Sequence, residues 1–491
     1  MTPRPVGPLI FSGMKKLLLL LPLAALIYAF CRPANSATTT LEDPPNIILI
    51  VTDDLGLADL AVYGNDFIET PRLDAMAANG LRYTQAYCAA PICSPSRAAI
   101  QTGLYPARIA MTEHTRGTPP VDPCQPVIPP KSAGRLAFAY TTIGESLLEA
   151  GYNTHYIGKW HLGGFNHVPI NQGYETSLAA GGQGLPASFF PPFFNNNNYP
   201  ELVATGEPYL TDALTTLAVQ TIPDGPTDTP FFLDLNYYSP HVPIEGPPDL
   251  VAKYEALAPN DPDFLPRPEY AAMVERIDQQ VGRLLDTLEA RNLLDNTLVL
   301  FTSDHGPLTV EEVPAFAQHT PPTTAGEFRA GKGYVYEGGL RVPLIAHWPA
   351  MLQPAVVDEP NTNLDYLPTF AALADAPLPD VLDGEVITSL ANSIPPVEDR
   401  TFYWHFPHYS PQRGNPAGMI RRGDYKLIQW YSDVDSVSLY NLAEDVGEMT
   451  NLADAEPALT AELLEDYEAW KVEVGARPAV DNPAFDAEAC N

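Results

Sequence analysis

The apolar residues of the chain form continuous runs at several places. Residues 45–52 and 297–303 contain apolar runs without polar alternation, which is typical of central strands covered on both faces of a sheet. Shorter apolar segments predict further strands at 152–157, 229–238 and 341–348. The chain therefore supplies several strands for a largely buried sheet.

Between these runs the apolar residues repeat with helical spacing. Residues 268–292 carry a one-sided apolar stripe that predicts a long amphipathic helix, formed by Met273, Ile277, Val281, Leu284, Leu285 and Leu288. Residues 71–80 and 142–151 predict shorter helices that end at a glycine. Helices that alternate with buried strands predict an α/β fold in which a central sheet is sandwiched between helices.

The pattern changes after about residue 380. Short apolar segments there predict antiparallel strands, at 403–405, 425–428 and 438–440. Residues 456–474 predict a helix that follows them. We therefore predict a large domain over residues 45–380 and a smaller C-terminal α+β domain, built on an antiparallel sheet, over residues 381–491.

The N-terminus has the pattern of an export signal. Two lysines precede an apolar run of 14 residues that ends at Phe30, which is short for a membrane span and typical of a signal peptide. We predict a signal peptide over residues 1–36, with Met14 as an alternative start, and an exported protein, periplasmic or secreted, without a stable membrane span. A lipoprotein anchored through Cys31 is disfavoured because Phe30 stands where small residues are expected, and a retained anchor helix is the other alternative.

Composition narrows the class of partner. The 491 residues include 53 prolines and carry a formal net charge of −33. Proline is about twice as frequent as usual, which indicates long, shaped loops rather than disorder. A surface this acidic argues against nucleic acid and anionic lipid as partners. It also repels anionic substrates at long range, so that an anion-binding site requires a local cluster of Lys, Arg and His.

Ligand-type residues directly follow both of the long apolar runs. Asp53 and Asp54 follow the first run, and Asp304 and His305 follow the second. The carboxyl ends of strands in an open α/β sheet hold ligands, and adjacent carboxylates there suit a divalent cation with oxygen ligands. An acidic turn would explain one such pair, but two pairs predict a shared metal site.

Residues 89–103 predict a proline-punctuated loop that runs into a short helix. Ser94 or Ser96 is placed to cap this helix, and Gly103 is placed to end it. Cys93 would then lie at the helix N-terminus, where unpaired N–H groups and the helix dipole favour anions, and favour thiolate over thiol. A buried structural cysteine is the alternative interpretation.

Other loops place cationic side chains and imidazoles after predicted strands. Lys159 and His161 lie two residues apart just after one strand, and His241 follows another. Lys332 lies in a Gly-Lys-Gly loop. Each of these residues alone is more often structural, so only their combination points to a site.

Together these motifs resemble the type I, formylglycine-dependent sulfatases of the alkaline phosphatase superfamily. The matches run in order from about residue 45 to 455 and include CSPSR at 93–97, which fits the family motif C-x-P-S-R, GKWHLG at 158–163, SPHVP at 239–243, FTSDHG at 301–306 and GKGYVYEGGLRVP at 331–343. The chain is most similar to exported bacterial carbohydrate and aryl sulfatases. The resemblance implies an alkaline-phosphatase-like fold with a large mixed sheet, and hydrolysis of sulfate esters on a sulfated saccharide or an aryl sulfate.

The resemblance also assigns a role to each matching residue. It implies one Ca²⁺, with Mg²⁺ as the alternative, held by Asp53, Asp54, Asp304, His305 and the modified Cys93, although many members carry asparagine at the position of His305. It implies that a maturation enzyme oxidises Cys93 to formylglycine (3-oxoalanine), whose hydrate attacks sulfur. The remaining implied roles are Arg97 holding the formylglycine, Lys159 and Lys332 binding sulfate oxygens, His161 taking a proton from the formylglycine, and His241 facing the leaving-group oxygen.

Several choices stay open at the level of sequence. A phosphodiester or phosphonate monoester hydrolase using the same site, and a non-catalytic glycan-binding protein, are the alternatives to a sulfate ester hydrolase. Residues 180–200 predict a long loop that either lines the site or forms a surface insertion. The candidates for sugar contacts at the pocket mouth are His114, Arg116, His408 and Arg413. One disulfide among Cys88, Cys124 and Cys490 is compatible with the sequence, in any pairing.

Overall fold

A computed structural model of the chain describes residues 1–2, 44–114, 121–195, 199–312, 317–391, 400–432 and 436–488. The predicted signal peptide with Met14 and Cys31, the candidate Arg116 and the candidate Cys490 lie outside the described residues. Within these ranges no helix has both the length and the apolar character that a membrane crossing requires.

The described elements alternate between strands and helices. The strands are β1 Asn46–Thr52, β2 Leu81–Tyr83, β3 Ala86–Tyr87, β4 Val127–Ile128, β5 Asn153–Gly158, β6 Thr176–Leu178, β7 Phe231–Asn236, β8 Thr297–Ser303, β9 Leu344–His347, β10 Ala355–Val357, β11 Asn361–Thr362, β12 Thr401–Phe406, β13 Ala417–Arg422, β14 Tyr425–Trp430, β15 Val437–Asn441 and β16 Val480–Asp481. The helices are α1 Pro71–Ala78, α2 Cys93–Thr102, α3 Ile143–Glu149, α4 Pro200–Ala204, α5 Leu210–Thr221, α6 Pro248–Leu257, α7 Pro268–Ala290, α8 Glu337–Leu340, α9 Tyr366–Ala374, α10 Thr388–Ala391 and α11 Pro457–Glu473.

The largest sheet has eight strands in the order β10-β2-β9-β8-β1-β7-β5-β6. β1 is central and runs parallel to both neighbours, β7 and β8, whereas β9 runs antiparallel to β8 and β2. All residues of β1 and β8 are buried, as their continuous apolar runs predicted. The predicted α/β fold with a large mixed central sheet is therefore confirmed.

Helices cover both faces of this sheet. On one face α7 packs with α1, α5 and α6, and its predicted apolar stripe is buried there. On the other face α9 packs with α2 and α3, and Phe370 of α9 contacts Phe232 of β7 with ring centroids 6.0 Å apart. Since each large aliphatic side chain that is fully buried stabilises by about 1.5–3 kcal/mol, this double cover supplies most of the driving force for folding.

A second, smaller sheet follows the first along the chain. β12, β13, β14 and β15 pair antiparallel in chain order, and α11 packs against them. β13 was not predicted, because it begins with Ala417-Gly418 and ends with two arginines. Gly418 is required there, since a Cβ atom would lie 1.7 Å from the Tyr467 hydroxyl. The antiparallel sheet is confirmed, whereas the domain limits at 45–380 and 381–491 stay predictions.

The cysteines outside α2 differ in state. Cys88 is a buried free thiol, which removes the pairings that include it. Cys124 is bonded in a disulfide. The predicted single disulfide therefore does not involve Cys88.

Buried charges join the small sheet to the loops of the large one. Lys426 Nζ on β14 lies 3.0 Å from Glu337 Oε1 on α8 and 2.9 Å from Glu448 Oε1, and all three side chains are at most 1% exposed. Burial raises the pKa of the Glu448 carboxyl to about 7, although Lys426 opposes this rise. Lys426 therefore separates two carboxylates that would otherwise repel each other in a medium of low dielectric.

Replacing Lys426 tests this connection. Lys426→Met should lower the free energy of unfolding by about 3–5 kcal/mol, because it leaves Glu337 and Glu448 buried without their shared cation. Urea denaturation measures the change. The matched control is Lys471→Met, which removes a partly exposed ion pair with Glu468 and should cost below about 1 kcal/mol. Equal losses from the two variants would contradict the prediction.

Candidate active site

The ends of β1 and β8 bring the four predicted metal ligands together. The two strands are parallel and pair Thr52 with Ser303, so Asp53 and Asp304 leave the sheet at the same edge. Asp304 N donates to Thr52 O at 3.1 Å, and Asp54 adopts a left-handed φ of 67° that turns the chain back. The side chains that gather at this edge are at most 1% exposed and comprise Asp53, Asp54, Asp304 and His305.

Cys93 is the first residue of α2 and points at these ligands. Its Sγ lies 3.2 Å from His305 Nε2 and 3.6 Å from Asp53 Oδ1. The prediction that a serine caps this helix was wrong, because Ile92 is the N-cap residue and no side chain caps it. Ser94 Oγ donates to His161 O instead, and Ser96 Oγ donates to Asp304 O. The two serines therefore bond the helix to loops that carry site residues.

Arg97 lies one turn along α2 and bonds three parts of the site. Its Nε donates to Asp304 Oδ2 at 2.8 Å, and its Nη1 donates to Lys159 O and to Asn236 Oδ1, both at 2.9 Å. The third nitrogen, Nη2, is buried and has no partner among the described residues. Asn236, at the end of β7, was missed by the sequence analysis, although its place at a central strand end was the available signal.

Two buried lysines neutralise the first pair of carboxylates. Lys159 Nζ lies 2.5 Å from Asp53 Oδ2, and Lys332 Nζ lies 2.7 Å and 2.8 Å from the two oxygens of Asp54. Lys159 and Lys332 are 0% and 4% exposed. The site therefore pairs each of its three aspartates with one permanent cation, since Arg97 pairs with Asp304.

His241 and His161 lie on two sides of this cluster. His241 Nδ1 donates to Val242 O, which leaves Nε2 facing Asp54 Oδ2 at 3.7 Å. His161 has a left-handed φ of 56°, is half-buried, and has no hydrogen-bond partner at Nδ1 within the described part of the chain. Burial lowers the pKa of His161 to about 3. His161 therefore places a buried imidazole nitrogen without a partner, among the described residues, beside the cluster.

The long loop at 180–200 lines the site, in its described part. His161 N donates to Gly181 O at 3.1 Å. A Cβ atom on Gly184 would lie 2.5 Å from the His161 ring, so the absence of a side chain at Gly184 permits this close approach. The interpretation of the segment as a mere surface insertion was therefore wrong for the residues that contact His161.

His114 joins the site as a fourth imidazole, after His305, His241 and His161. Its ring stacks on that of His161 with centroids 5.8 Å apart. Burial acts to lower the pKa of His114, but the hydrogen bonds and negative charges of Cys93 and Glu113 together outweigh burial and raise this pKa above its ordinary value. His114 Nδ1 donates to Glu113 Oε1 at 2.9 Å. Glu113 was missed by the sequence analysis although it directly precedes His114, because adjacency in sequence does not show that two side chains pair.

His408 lies behind His114 rather than beside Cys93. Its Nε2 is hydrogen-bonded to Thr112 Oγ1 at 2.8 Å, and its Nδ1 lies 3.9 Å from Glu113 Oε2. His408 is 4% exposed, and burial lowers its pKa to about 4. The structure therefore places His408 as a support for the segment that carries His114.

Among the predicted mouth residues that the structure describes, Arg413 is the exposed one. It has a left-handed φ of 74° in a turn whose Ser410 packs directly against Gly333, the residue after Lys332. Its side chain thus lies in a loop that borders the Lys332 side of the site. Arg116 lies outside the described residues.

The electrostatics of the cluster fit a bound cation. Burial raises the pKa of Asp53 to about 7 even with Lys159 in contact. Burial also acts to raise the pKa of Asp54 and of the Cys93 thiol, but in both cases the surrounding histidine and lysine charges outweigh it and hold the pKa below its ordinary value. Two sets of ligand atoms lie within 4.8 Å of one another, Asp53 with Asp54, Cys93 and His241, and Asp53 with Cys93, Asp304 and His305. These residues could hold one metal ion.

Comparison with known families decides the class of protein. Residues 45–376 match the sequence profile of the sulfatase family, and residues 326–470 match that of the N-sulphoglucosamine sulphohydrolase C-terminal region. The first match covers more than half of the chain. The chain belongs to the sulfatase family.

Individual relatives agree with this assignment. The sulfatase is 31% identical to a sulfatase of Formosa agariphila, over 90% of this chain and 92% of the relative, and 31% identical to arylsulfatase A of Homo sapiens, over 88% of each chain. Its fold is similar to the crystal structure of Ps i-CgsB in complex with k-i-k-neocarrahexaose, with a TM-score of 0.70 and 29% identity over 87% of this chain and 93% of that one. The protein is therefore a sulfuric ester hydrolase, as the motifs implied.

Asn236→Ala tests whether Asn236 positions Arg97 in the sulfatase. Loss of a hydrogen bond to a charged group costs about 1.5–3 kcal/mol, so we expect kcat on an aryl sulfate to fall about 10- to 100-fold. The matched control is Asn482→Ala, which removes another buried asparagine that donates to Asp122 O and Gln125 O far along the chain. The control should lose stability but keep kcat, and an equal loss of kcat would refute the positioning role.

Proposed function

We propose that this sulfatase removes sulfate from carbohydrates by means of a formylglycine made from Cys93 and one bound Ca²⁺. The observation that carries the proposal is the convergence of buried groups on Cys93 at the tips of β1 and β8. The groups are at most 4% exposed and comprise Asp53, Asp54, Asp304, His305, Arg97, Lys159 and Lys332.

The residues present fit a hard divalent cation. We assign the ion to Asp53, Asp54, Asp304 and His305, together with residue 93. His305 Nδ1 donates to Gly306 O at 2.9 Å, which orients Nε2 towards the carboxylates as a metal ligand requires. The raised pKa of Asp53 supports the fit, because it shows a carboxylate that one lysine does not fully stabilise. When bound, Ca²⁺ supplies positive charge that offsets the negative charge of the sulfate group and the nucleophile.

Charge balance supports the same assignment. Three carboxylates and three permanent cations cancel within the cluster. One Ca²⁺ adds two positive charges, which match one singly charged sulfate ester and one singly charged nucleophile. In a buried site of low dielectric this match favours binding of the anionic ester.

The surroundings of residue 93 also fit the modified side chain. Arg97 Nη2 is buried beside α2 without a partner among the described residues, so it is free to hold an oxygen at position 93. The hydrated aldehyde supplies one hydroxyl as nucleophile and a second that permits release of sulfate. A separate maturation enzyme would perform the conversion, and we propose that the protein is exported, on the basis of the pattern in residues 1–36.

The remaining roles belong to lysines and histidines of this chain. We propose that Lys159 and Lys332 bind sulfate oxygens, and that His241 donates a proton from Nε2 to the leaving-group oxygen. His161, whose Nδ1 is unpartnered among the described residues, would take the proton from residue 93. His114, whose ring stacks on that of His161, would contact the sugar or the sulfate.

The substrate class has separate support. The neighbour at 29% identity was crystallised with k-i-k-neocarrahexaose, which is a carbohydrate ligand of that protein. Family membership favours sulfate esters over the phosphodiester and phosphonate alternatives. The complete set of ligand, cationic and imidazole groups argues against a non-catalytic glycan-binding protein.

The first test determines whether residue 93 is modified and whether activity requires it. The peptide that contains residue 93 should be about 18 Da lighter than its unmodified form in mass spectrometry. Cys93→Ser should lower the rate on an aryl sulfate by at least about 10³-fold, because a serine would remain as a stable ester. Cys88→Ala, which changes a buried free thiol nearby, should keep the activity. An intact thiol at position 93 in active protein, or a faster reaction with an aryl phosphodiester, would refute the proposal.

The second test measures the metal without using activity. Ca²⁺ at about 100 times its Kd should stabilise the protein by about 2.7 kcal/mol, seen as a rise in Tm over chelator-treated protein. Asp53→Asn should abolish this rise, whereas Asp286→Asn, which changes an exposed aspartate paired with Arg72, should preserve it. A larger rise with Mg²⁺ would identify the other cation, and no rise with either would exclude the assigned site.

A further inference from the structure

Two exposed phenylalanines form an aromatic surface near the loop that carries His161. Phe165 is fully exposed and Phe138 is 51% exposed. Phe138 stacks on His167 with ring centroids 4.3 Å apart and an interplanar angle of 14°, so one face of its ring is held outward. Exposed aromatic groups of this kind mark binding surfaces more often than isolated apolar residues do.

Three exposed cations lie on or against the segment that carries Phe138. Lys131, Arg135 and Arg477 are exposed, and no carboxylate lies within 4.0 Å of them among the described residues. Arg477 Nη1 donates to Lys131 O at 3.0 Å. This hydrogen bond holds the residues that follow α11 against the segment that contains Lys131. The whole chain carries a formal charge of −33. The three cations, which have no carboxylate partner among the described residues, therefore form a small basic surface on an acidic protein, and this surface attracts anions.

Backbone hydrogen bonds attach this surface to the catalytic loops. Leu136 N donates to Leu162 O at 2.8 Å, directly after His161. Ser132 Oγ accepts from Thr112 N at 2.9 Å and from Glu113 N at 3.0 Å, just before His114.

The segment 131–138 therefore spans the two loops whose histidines stack on each other beside Cys93. Phe165 follows His161 by four positions, so the aromatic surface continues along the loop that carries His161.

We propose that these residues form a binding surface for a sulfated polysaccharide, termed the glycan platform and defined as Lys131, Arg135, Phe138, Phe165 and Arg477. This inference rests on the proposed function, because the platform holds sugars that neighbour the one whose sulfate is removed. The apolar C–H faces of sugar rings pack on the exposed faces of Phe138 and Phe165. Guanidinium and ammonium groups bind the sulfate groups of the same chain.

The charge pattern favours this occupant over others. A lipid surface or a nucleic acid would meet the acidic remainder of the molecule, whereas a single flexible anionic chain can follow the small basic surface alone. A polymer held there adds contacts beyond the sulfate pocket, so it should affect binding of long substrates and leave small ones unchanged.

The experiment compares small and polymeric substrates in the full-length, matured protein. The test variants are Phe138→Ser/Phe165→Ser and Arg135→Ser/Arg477→Ser. The control is Leu257→Ser/Val356→Ser, which changes two residues that are 57% and 58% exposed elsewhere. Substrates are 4-nitrophenyl sulfate and the polymers ι-carrageenan, heparin and fucoidan. Binding is measured in parallel by affinity electrophoresis of the Cys93→Ala chain through gels that contain each polymer or neutral dextran.

The expected result separates the two substrate classes. Each test variant should keep kcat/KM on 4-nitrophenyl sulfate within about twofold, and should raise KM or Kd about tenfold for at least one polymer that the parent binds. The control variant should behave as the parent does, and neutral dextran should not retard any variant.

Other outcomes would overturn the proposal in distinguishable ways. Equal polymer binding by the parent and both test variants would contradict the proposed glycan platform. The proposal would also be contradicted if the parent cleaved 4-nitrophenyl sulfate but bound none of the polymers. A third outcome is that the parent binds phosphatidylserine vesicles but no polymer, and that the test variants lose this vesicle binding. This outcome would identify a membrane, and not a glycan, as the ligand of the surface. Failure to cleave 4-nitrophenyl sulfate would instead count against the proposed function, and the binding assay would still decide on the platform.

Discussion

The parallel pairing of β1 with β8 is the constraint on which the rest of the structure depends. It fixes Thr52 opposite Ser303 and so places the carboxylates of Asp53, Asp54 and Asp304 at one buried edge. Negative charges this close are stable in a low dielectric only if cations compensate them. The cations come from separate elements, namely Lys159 after β5, Arg97 on α2 and Lys332 before α8. The pairing that forms the centre of the sheet therefore also brings the residues of the site together.

The helix that carries Cys93 is held from the opposite side by later parts of the chain. Asn363 Nδ2 donates to Ser96 Oγ at 2.8 Å, and Asn363 Oδ1 accepts from Ala89 N at 3.0 Å. Trp404 Nε1 on β12 donates to Cys88 O at 2.7 Å. The position of residue 93 thus depends on contacts spread over more than 300 residues of sequence. A site arranged in this way tolerates little local motion, which suits electrostatic stabilisation by fixed charges.

The sequence predicted those features whose causes are local. Continuous apolar runs identify buried strands, and the ligand-type residues that follow them identify the edge of the sheet where a site forms. The place of Asn236 at the end of β7 could have marked it as a site residue, but its hydrogen bond to Arg97 could not be predicted, because Arg97 lies 139 positions away. The same holds for Glu113, whose partner His408 approaches from the C-terminal part. The serines of α2 were assigned to capping because local rules favour that use, but distant carbonyl groups compete for their hydroxyls. Sequence rules thus identified residues that gather at one edge of the sheet, and tertiary contacts decided how these residues are held.

The burial of Cys93 has a consequence for biogenesis. The side chain is 1% exposed and lies beneath His305, Lys159 and Lys332 once the protein has folded. Another protein cannot reach a thiol in that position, so any enzyme that oxidises it must act on the nascent or unfolded polypeptide. The timing of the modification relative to folding would then decide how much of the synthesised protein is active, and molecules that fold too early would accumulate as stable but inert copies.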